Sequence, residues 1–268
     1  VVPVLRGEKV SALAITEPGG GSDVAALATR ARRDGDYYVV HGTKTYITSG
    51  CRADLVTTAV RTGGEGHGGI SLLVIEKGTA GFTVSKRLRK TGWWASDTAE
   101  LSFDECRVPV RNLLGEENQG FIAIMLNFVT ERLYLAGQCV AIGELAYRES
   151  MRYAKDRRAF GRPIAGFQVL RHKLADMASA LAAARALTGE VATRHLRGEV
   201  VTSLAAMAKN TASDMCSFVC DAAVQIHGGA GYMRETLVER LYRDARIYPI
   251  GGGTREIMNE VIAKLAGF

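Results

Sequence analysis

Near the amino end a turn reads Thr16-Glu17-Pro18-Gly19-Gly20-Gly21-Ser22-Asp23. Successive backbone N–H groups in such a glycine-rich turn can form a nest for an anion, with the hydroxyls of Thr16 and Ser22 beside it. A plain solvent-exposed turn is the competing reading of the same residues. A second glycine cluster, Gly228, Gly229 and Gly231, allows backbone to approach a ligand closely. Arg157 carries a planar fork suited to a pyrophosphate. On residue type alone, Arg157 and Gln168 read equally as a surface ion pair and a helix-capping side chain. Gly64-x-Gly66-x-x-Gly69 has the spelling of a dinucleotide fingerprint. It is followed by a strand-like run at 70–76 where that fingerprint requires a helix, so it reads as a hairpin loop. No phosphate-loop lysine motif and no Gly-x-Ser-x-Gly elbow occurs, which leaves acyl transfer by a serine nucleophile without support. Five cysteines, Cys51, Cys106, Cys139, Cys216 and Cys220, form no Cys-x-x-Cys pair. They read as reduced thiols of a cytoplasmic protein, with no metal site expected.

The elements that must hold these residues fall into two halves. The chain has 268 residues, enough for one large or two modest domains. Hydrophobic residues make up 47% and charged residues 23%, so it can build a core and is not disordered. No run is long and apolar enough for a membrane span, and no secretory signal is expected, because Val1-Val2-Pro3-Val4 leads directly into Arg6-Gly7-Glu8-Lys9. The net charge of +6 is dispersed. Its densest run, Lys86-Arg87-Leu88-Arg89-Lys90, has no aromatic interleaving beyond the nearby Trp93-Trp94, and nucleic-acid binding is not expected. Residues 12–16, 37–41, 55–60, 71–76 and 99–103 are short, rich in β-branched and aromatic types, and separated by turn residues. They predict an antiparallel β-sandwich or barrel over residues 1–114. Residues 115–268 read as helix, at 119–156, at 199–226, and in shorter pieces at 235–245 and 254–266. Between them a stripe of Leu174, Met177, Leu181, Ala184, Leu187 and Val191 marks a further helix. The expected class is α+β, a sandwich or barrel followed by an antiparallel four-helix bundle.

Seven stretches, taken in order, carry a resemblance. They are Ile15-Thr16-Glu17-Pro18 with Gly21-Ser22-Asp23; Gly42-Thr43-Lys44-Thr45-Tyr46-Ile47-Thr48-Ser49-Gly50; Ala95-Ser96-Asp97-Thr98; and Asp156-Arg157-Arg158-Ala159-Phe160-Gly161 with Phe167-Gln168. Then come Val224-Gln225-Ile226-His227-Gly228-Gly229-Ala230-Gly231-Tyr232; Arg243-Asp244-Ala245-Arg246-Ile247; and Gly253-Thr254-Arg255-Glu256-Ile257. In these the sequence resembles the acyl-CoA dehydrogenases, flavoproteins that oxidise acyl-CoA thioesters. The resemblance implies the family's β domain and C-terminal four-helix bundle, without its N-terminal helical domain. It also implies bound FAD. Thr16, Gly21 and Ser22 would bind on the flavin and pyrophosphate side. Tyr46 would pack on the isoalloxazine ring, where many members have Trp. Ile47 and Thr48 would lie at the ring edge, with the Thr48 hydroxyl on N5. Arg157, Phe160, Gln168, Gln225, Ile226, His227, Gly228 and Gly229 would grip the FAD of a neighbouring subunit, so a homodimer or homotetramer is implied. Thr254 and Glu256 would close over the FAD of their own subunit. Ser22, Ser96, Arg132, Gly252 and Gly253 would lie along the acyl-CoA.

The commoner family pattern has its catalytic glutamate in a loop reading Tyr-Glu-Gly-Thr. Here that loop is Gly251-Gly252-Gly253-Thr254, and Gly252 has no proton acceptor. A minority, the isovaleryl and long-chain type, carries the base on the first bundle helix before an Arg. Thr130-Glu131-Arg132-Leu133 stands at that place, so the resemblance makes Glu131 the base. Phe128, Val129, Leu133 and Leu135 surround it in sequence, and partial burial would raise its pKa toward the range a general base uses. The three glycines would leave open space for the acyl chain, and a carboxylate placed at position 252 would restore turnover. The implied reaction is α,β-dehydrogenation to the trans-2-enoyl-CoA, as in β-oxidation of fatty acids, with electrons passed to an electron-transfer flavoprotein. A flavin- or CoA-binding piece without catalysis, an acyl-CoA oxidase and a flavin monooxygenase or nitroalkane oxidase relative are the competing readings.

Overall fold

The computed structural model describes residues 2–268, which divide into two compact units, 1–126 and 127–268. The first opens with a short helix α1 (Val2–Leu5) and is otherwise built from β1 (Ser11–Ala14), β2 (Arg30–Asp34), β3 (Tyr37–Thr48), β4 (Leu55–Arg61), β5 (Ile70–Glu76), β6 (Phe82–Arg87), β7 (Thr98–Pro109) and β8 (Leu113–Leu114). The sheet runs β6-β7-β3-β2-β4-β5-β8, with β1 also paired to β4. The expected antiparallel pairing holds for most of it, and β4 differs by taking two parallel neighbours, β1 with Ser11 opposite Leu55 and β2 with Arg30 opposite Arg61. β1 and most of β7 alternate inward and outward, while β4 and β5 bury consecutive residues on both faces, and Tyr38, Val40, Val56, Leu73, Leu101 and Phe103 are part of the core. The Gly64–Gly69 run is the loop of the β4–β5 hairpin, as the strand after it requires.

β3 is seven residues longer than the 37–41 segment legible in the sequence. Its extension is irregular, with register shifts against β7 between Val40 and Gly42 and again between Lys44 and Ile47. Such bulges re-aim side chains, and the second one carries Tyr46 with a left-handed backbone, φ 59°.

The second unit takes most of α2 (Gly120–Asp156) and then a small hairpin, β9 (Arg158–Ala159) and β10 (Arg162–Pro163). Next come α3 (Gln168–Leu196), α4 (Thr202–His227), α5 (Leu237–Ala245) and α6 (Arg255–Ala266). α3 buries Leu174, Met177, Leu181, Ala184 and Val191 at steps of three and four. Thr188 takes the inward place that the sequence assigns to Leu187. α4 is rich in small residues and buried on nearly every side, as expected of a central helix packed on several others. Ala205, Ala208, Ala212 and Ala223 let α3, α5 and α6 approach it. Cys216 and Cys220 of α4 meet Cys139 of α2, and all three are buried. Hydrogen bonds from Cys139 and Cys220 push the Cys216 thiol down while burial opposes them. Among the described residues every cysteine is free, no group of three side chains is arranged to hold a metal, and no helix is long and apolar enough to cross a membrane.

Candidate active site

In the first unit the sheet brings three of the motif stretches together. The 16–22 turn is tied to β3 by Thr45 N–H donating to Thr16 O, 2.9 Å. It is closed on itself by Glu17 and Gly20, each donating to the other's carbonyl. Beneath it lies a buried ion pair that sequence reasoning passed over. Glu17, 8% exposed, accepts from Lys44 Nζ at 2.7 Å and from the main-chain N–H groups of Ala28 and Thr29 at 2.6 and 2.9 Å. Lys44, fully buried, also donates to Ile15 O at 3.0 Å. Burial pushes the Lys44 ammonium down to about 8. Burial alone would raise Glu17, but the hydrogen bonds from Lys44, Thr29 and Ala28 outweigh it and hold the carboxyl below its ordinary value. The available signal was a lysine in an otherwise uncharged strand, seven residues of which read as loop.

Tyr46 and Thr48 are exposed, Tyr46 at 69%, while Ile47 between them is buried and offers only main chain outward. Beyond Thr48 the chain is pinned by Asp97, whose carboxylate accepts from Cys51 N–H at 2.7 Å and pairs with Arg52. Thr98, opposite Thr48 in the register, is buried with a hydroxyl that finds no partner among the described residues. An exposed aromatic on a left-handed backbone is unusual in a purely structural strand end. Ser96 is held from the side by Lys90, whose ammonium donates to its hydroxyl at 2.8 Å and its carbonyl at 3.0 Å.

In the second unit two groups form. Around the β9–β10 hairpin, Arg157 is exposed; its main chain bonds to Tyr153 and Ile164, while its guanidinium makes no hydrogen bond or ion pair among the described residues. Phe160, 94% exposed with φ 53°, sits at the hairpin tip edge-on to Phe167. Gln168 opens α3 with its side chain exposed. At the end of α4, Gln225 is exposed, but Ile226 and His227 are buried. The His227 ring stacks on Tyr153 and its Nδ1 meets Ala223 O at 2.8 Å. Both side chains thus pack within the bundle. A cavity of about 520 Å³ is lined by Tyr153, Asp156, His227, Ala230 and Thr236. Gly228 and Gly229 have nothing within 4 Å of where a Cβ would stand, and Gly228 has φ 58°, so this turn presents bare backbone.

The second group centres on α2 and the loop before α6. Glu131 is half-buried, and its carboxylate accepts from Asn127 Nδ2 one turn earlier, 2.7 Å. It is Arg132 and Leu135 that reach the glycine loop. Arg132, 5% exposed, donates from Nε to Gly252 O at 3.2 Å, and Lys209 of α4, 1% exposed, donates to Gly253 O at 2.5 Å. Gly252 and Gly253 have φ 68° and 97°, the left-handed region. Thr254 caps α6, accepting from Ile257 N–H at 3.3 Å, and Glu256 is held below its ordinary value by its own backbone N–H and by Thr254.

The space beside the glycines is not open. A Cβ at 252 would stand 2.6 Å from Leu135 Cδ1, and one at 253 would stand 2.6 Å from Met258 Cε. Gly252→Ala is therefore expected to cost about 1–2 kcal/mol, from the left-handed backbone and the displaced leucine, read as a lowered denaturation midpoint. A Gly252→Glu change, which the sequence reading expects to restore some turnover to a variant lacking the Glu131 carboxylate, would have to displace the Leu135 tip.

The comparisons bear on both units. Residues 12–106 match the family description "Acyl-CoA dehydrogenase, middle domain" and residues 118–266 match "Acyl-CoA dehydrogenase, C-terminal domain". The long-chain specific acyl-CoA dehydrogenase of Sus scrofa mitochondria is 41% identical over 261 residues, covering 96% of this chain and 61% of that protein. The chain thus spans about three-fifths of the length of such curated relatives. A probable acyl-CoA dehydrogenase structure from Mycobacterium abscessus is 57% identical, with a TM-score of 0.98 over 99% of this chain and 70% of the other. Butyryl-CoA dehydrogenase from Megasphaera elsdenii is 38% identical, with a TM-score of 0.96 over the same shares. Members of this family are FAD-dependent flavoproteins. By sequence and by structure, this chain belongs to the acyl-CoA dehydrogenase family, as its middle and C-terminal domains.

Proposed function

We propose that the protein to which this chain belongs oxidises an acyl-CoA thioester to the trans-2-enoyl-CoA with FAD, with Glu131 as the general base. The observation that carries the assignment of the base is the contrast between Gly252 and Glu131. Gly252 has no side chain, a left-handed backbone and Leu135 beside it. Glu131 is a half-buried carboxylate on α2, adjacent to the Arg132 that holds the Gly252 carbonyl.

The residues present fit FAD. Tyr46 offers an exposed aromatic face, Thr48 offers an exposed hydroxyl, and the 16–22 turn offers main-chain N–H groups. Arg157 and Gln168, with the bare 228–229 backbone, offer donors for a pyrophosphate. The exposed Phe160 on its strained hairpin suits contact with a second subunit. A homodimer or homotetramer is part of the proposal, as are an electron-transfer flavoprotein as acceptor and a cytoplasmic location. FAD, when bound, supplies the two-electron acceptor for the hydrogen that leaves the β-carbon. Glu131 takes the α-proton on a carboxylate oxygen, and Asn127 orients that carboxylate. Ser96, braced by Lys90, and Ser22 hold the thioester arm.

Anaerobic titration of the flavin-loaded protein with acyl-CoAs of graded length tests the reaction, because substrate should bleach the flavin. Flavin unchanged by every acyl-CoA would leave a binding protein without this chemistry. Thr48→Ala should retain FAD and slow flavin reduction about fivefold, the worth of one neutral hydrogen bond of about 1 kcal/mol. Identical stopped-flow traces would make Thr48 a strand-end residue only.

A further inference from the structure

We propose that Lys209, acting with Arg132, is a positioning residue that pins the glycine loop before α6 as a fixed wall of the site served by Glu131. This rests on the acyl-CoA reading above. The two cations come from different helices, α4 and α2, and converge on consecutive carbonyls, those of Gly253 and Gly252. Both are at least nineteen-twentieths buried, and the carboxylates that act on them, Glu256 on Lys209 and Glu131 on Arg132, do so through space and not as contact ion pairs. Burying a charge without a contacting opposite charge is costly, and burial pushes Lys209 down to about 8, with Cys139 and Glu256 opposing the shift and Arg132 adding to it. A connection between α5 and α6 does not in itself call for two such groups.

What does call for them is the loop's composition. Three consecutive glycines, two of them left-handed, have more conformational freedom to lose than any other tripeptide. They have no side chains with which to anchor themselves. The donors must therefore come from outside. Charged donors hold a carbonyl more firmly than neutral ones. Met258 and Leu135 fill the space the absent side chains leave. Asn210, next to Lys209, ties the following helix to α4 through Asn259 Oδ1 at 2.9 Å and Arg255 O at 3.5 Å. Lys209 and its neighbour thus set both the loop and the start of α6.

The test uses the flavin-loaded protein and two readouts. In Lys209→Met, amide hydrogen exchange at residues 251–255 should quicken at least about tenfold while the rest of α4 stays protected. KM for acyl-CoA should rise about tenfold with FAD content unchanged, because a loosened wall weakens binding. Lys209→Arg, which keeps a charged donor, should bring both back to within about threefold of wild type. A residue serving only stability would lower the amount of active enzyme and leave KM alone. Unchanged exchange and unchanged KM in Lys209→Met overturns the proposal. If Lys209→Met does not fold, Lys209→Gln is read by the same two measurements, with the same outcomes for and against. Failure of the enzymatic reading is distinguishable. No acyl-CoA would bleach the flavin, while the exchange result would still report on the loop.

Discussion

Glu131→Gln is expected to slow flavin reduction by acyl-CoA by ~10²–10⁴-fold, the range that a positioned general base supplies. The substitution keeps the size of the side chain and the ability to meet Asn127, whose amide sits 2.7 Å from the carboxylate. Packing should therefore survive, and FAD content and acyl-CoA affinity should stay near wild type. The loss should fall on kcat and kcat/KM alike, as expected for a group that acts in the transition state. A Glu131→Asp variant should retain part of the activity, because it keeps a base and shortens the reach. Thr130 and Tyr134, neighbours on the helix, give internal controls: Thr130 contacts His195 at 3.2 Å and Tyr134 is exposed. Substitution of Thr130 should leave the reduction rate within a few fold, on the order of 1 kcal/mol for one lost exposed contact. Full activity in Glu131→Gln would remove it as the base. Gly252 could not replace it, since it carries no side chain to accept a proton.

The helices were legible because their signal is local. α2 has no proline over 37 residues, and the stripe on α3 keeps its steps of three and four from Leu174 to Val191. The strands were harder to read where they leave the regular pattern. β2, Arg-Ala-Arg-Arg-Asp, buries only Ala31, and β6 is exposed except at its first residue, so neither shows alternation strong enough to register. The outer part of β3 is broken by two register shifts, and that irregular part carries Lys44, Tyr46 and Thr48. The parallel placement of β1 depends on a partner more than forty residues away, which no local pattern encodes. In the site, glycine motifs and the Glu-Arg pair were readable as types in order. Their support was not, because Lys209 with Gly253 and Lys44 with Glu17 are pairings made by the fold. Ile226 and His227 show the converse. A motif names both residues, while the helix end turns their side chains inward, away from solvent.

Lys44→Met should be the most destabilising single change in the first unit, at about 3–5 kcal/mol near neutral pH, the usual cost of stripping one partner from a buried ion pair. The methionine can fill the lysine's volume, so the penalty falls on Glu17, which keeps its two main-chain donors and loses its cation. The sign with pH follows from Glu17. In wild type its folded pKa lies below the ordinary value, so its stabilising contribution is present above the unfolded pKa. That contribution is lost as pH falls through the folded value. In Lys44→Met, burial remains without the offsetting bonds from the ammonium, and the folded state then favours the neutral carboxyl. The deficit against wild type should therefore be largest at pH 7 and shrink as the pH is lowered toward 4. Glu17→Gln added to Lys44→Met should recover most of the loss, because no buried charge is then left alone. Denaturant midpoints of the sheet unit, followed from pH 4 to 7, measure all three variants. Because Ile15 O and the 16–22 turn hang from the same ammonium, the single variant should also release FAD more readily than wild type. A loss below about 1 kcal/mol that is flat with pH would mean that the pair contributes no more than a surface salt bridge. The turn would then be held by its backbone contacts to β3 alone.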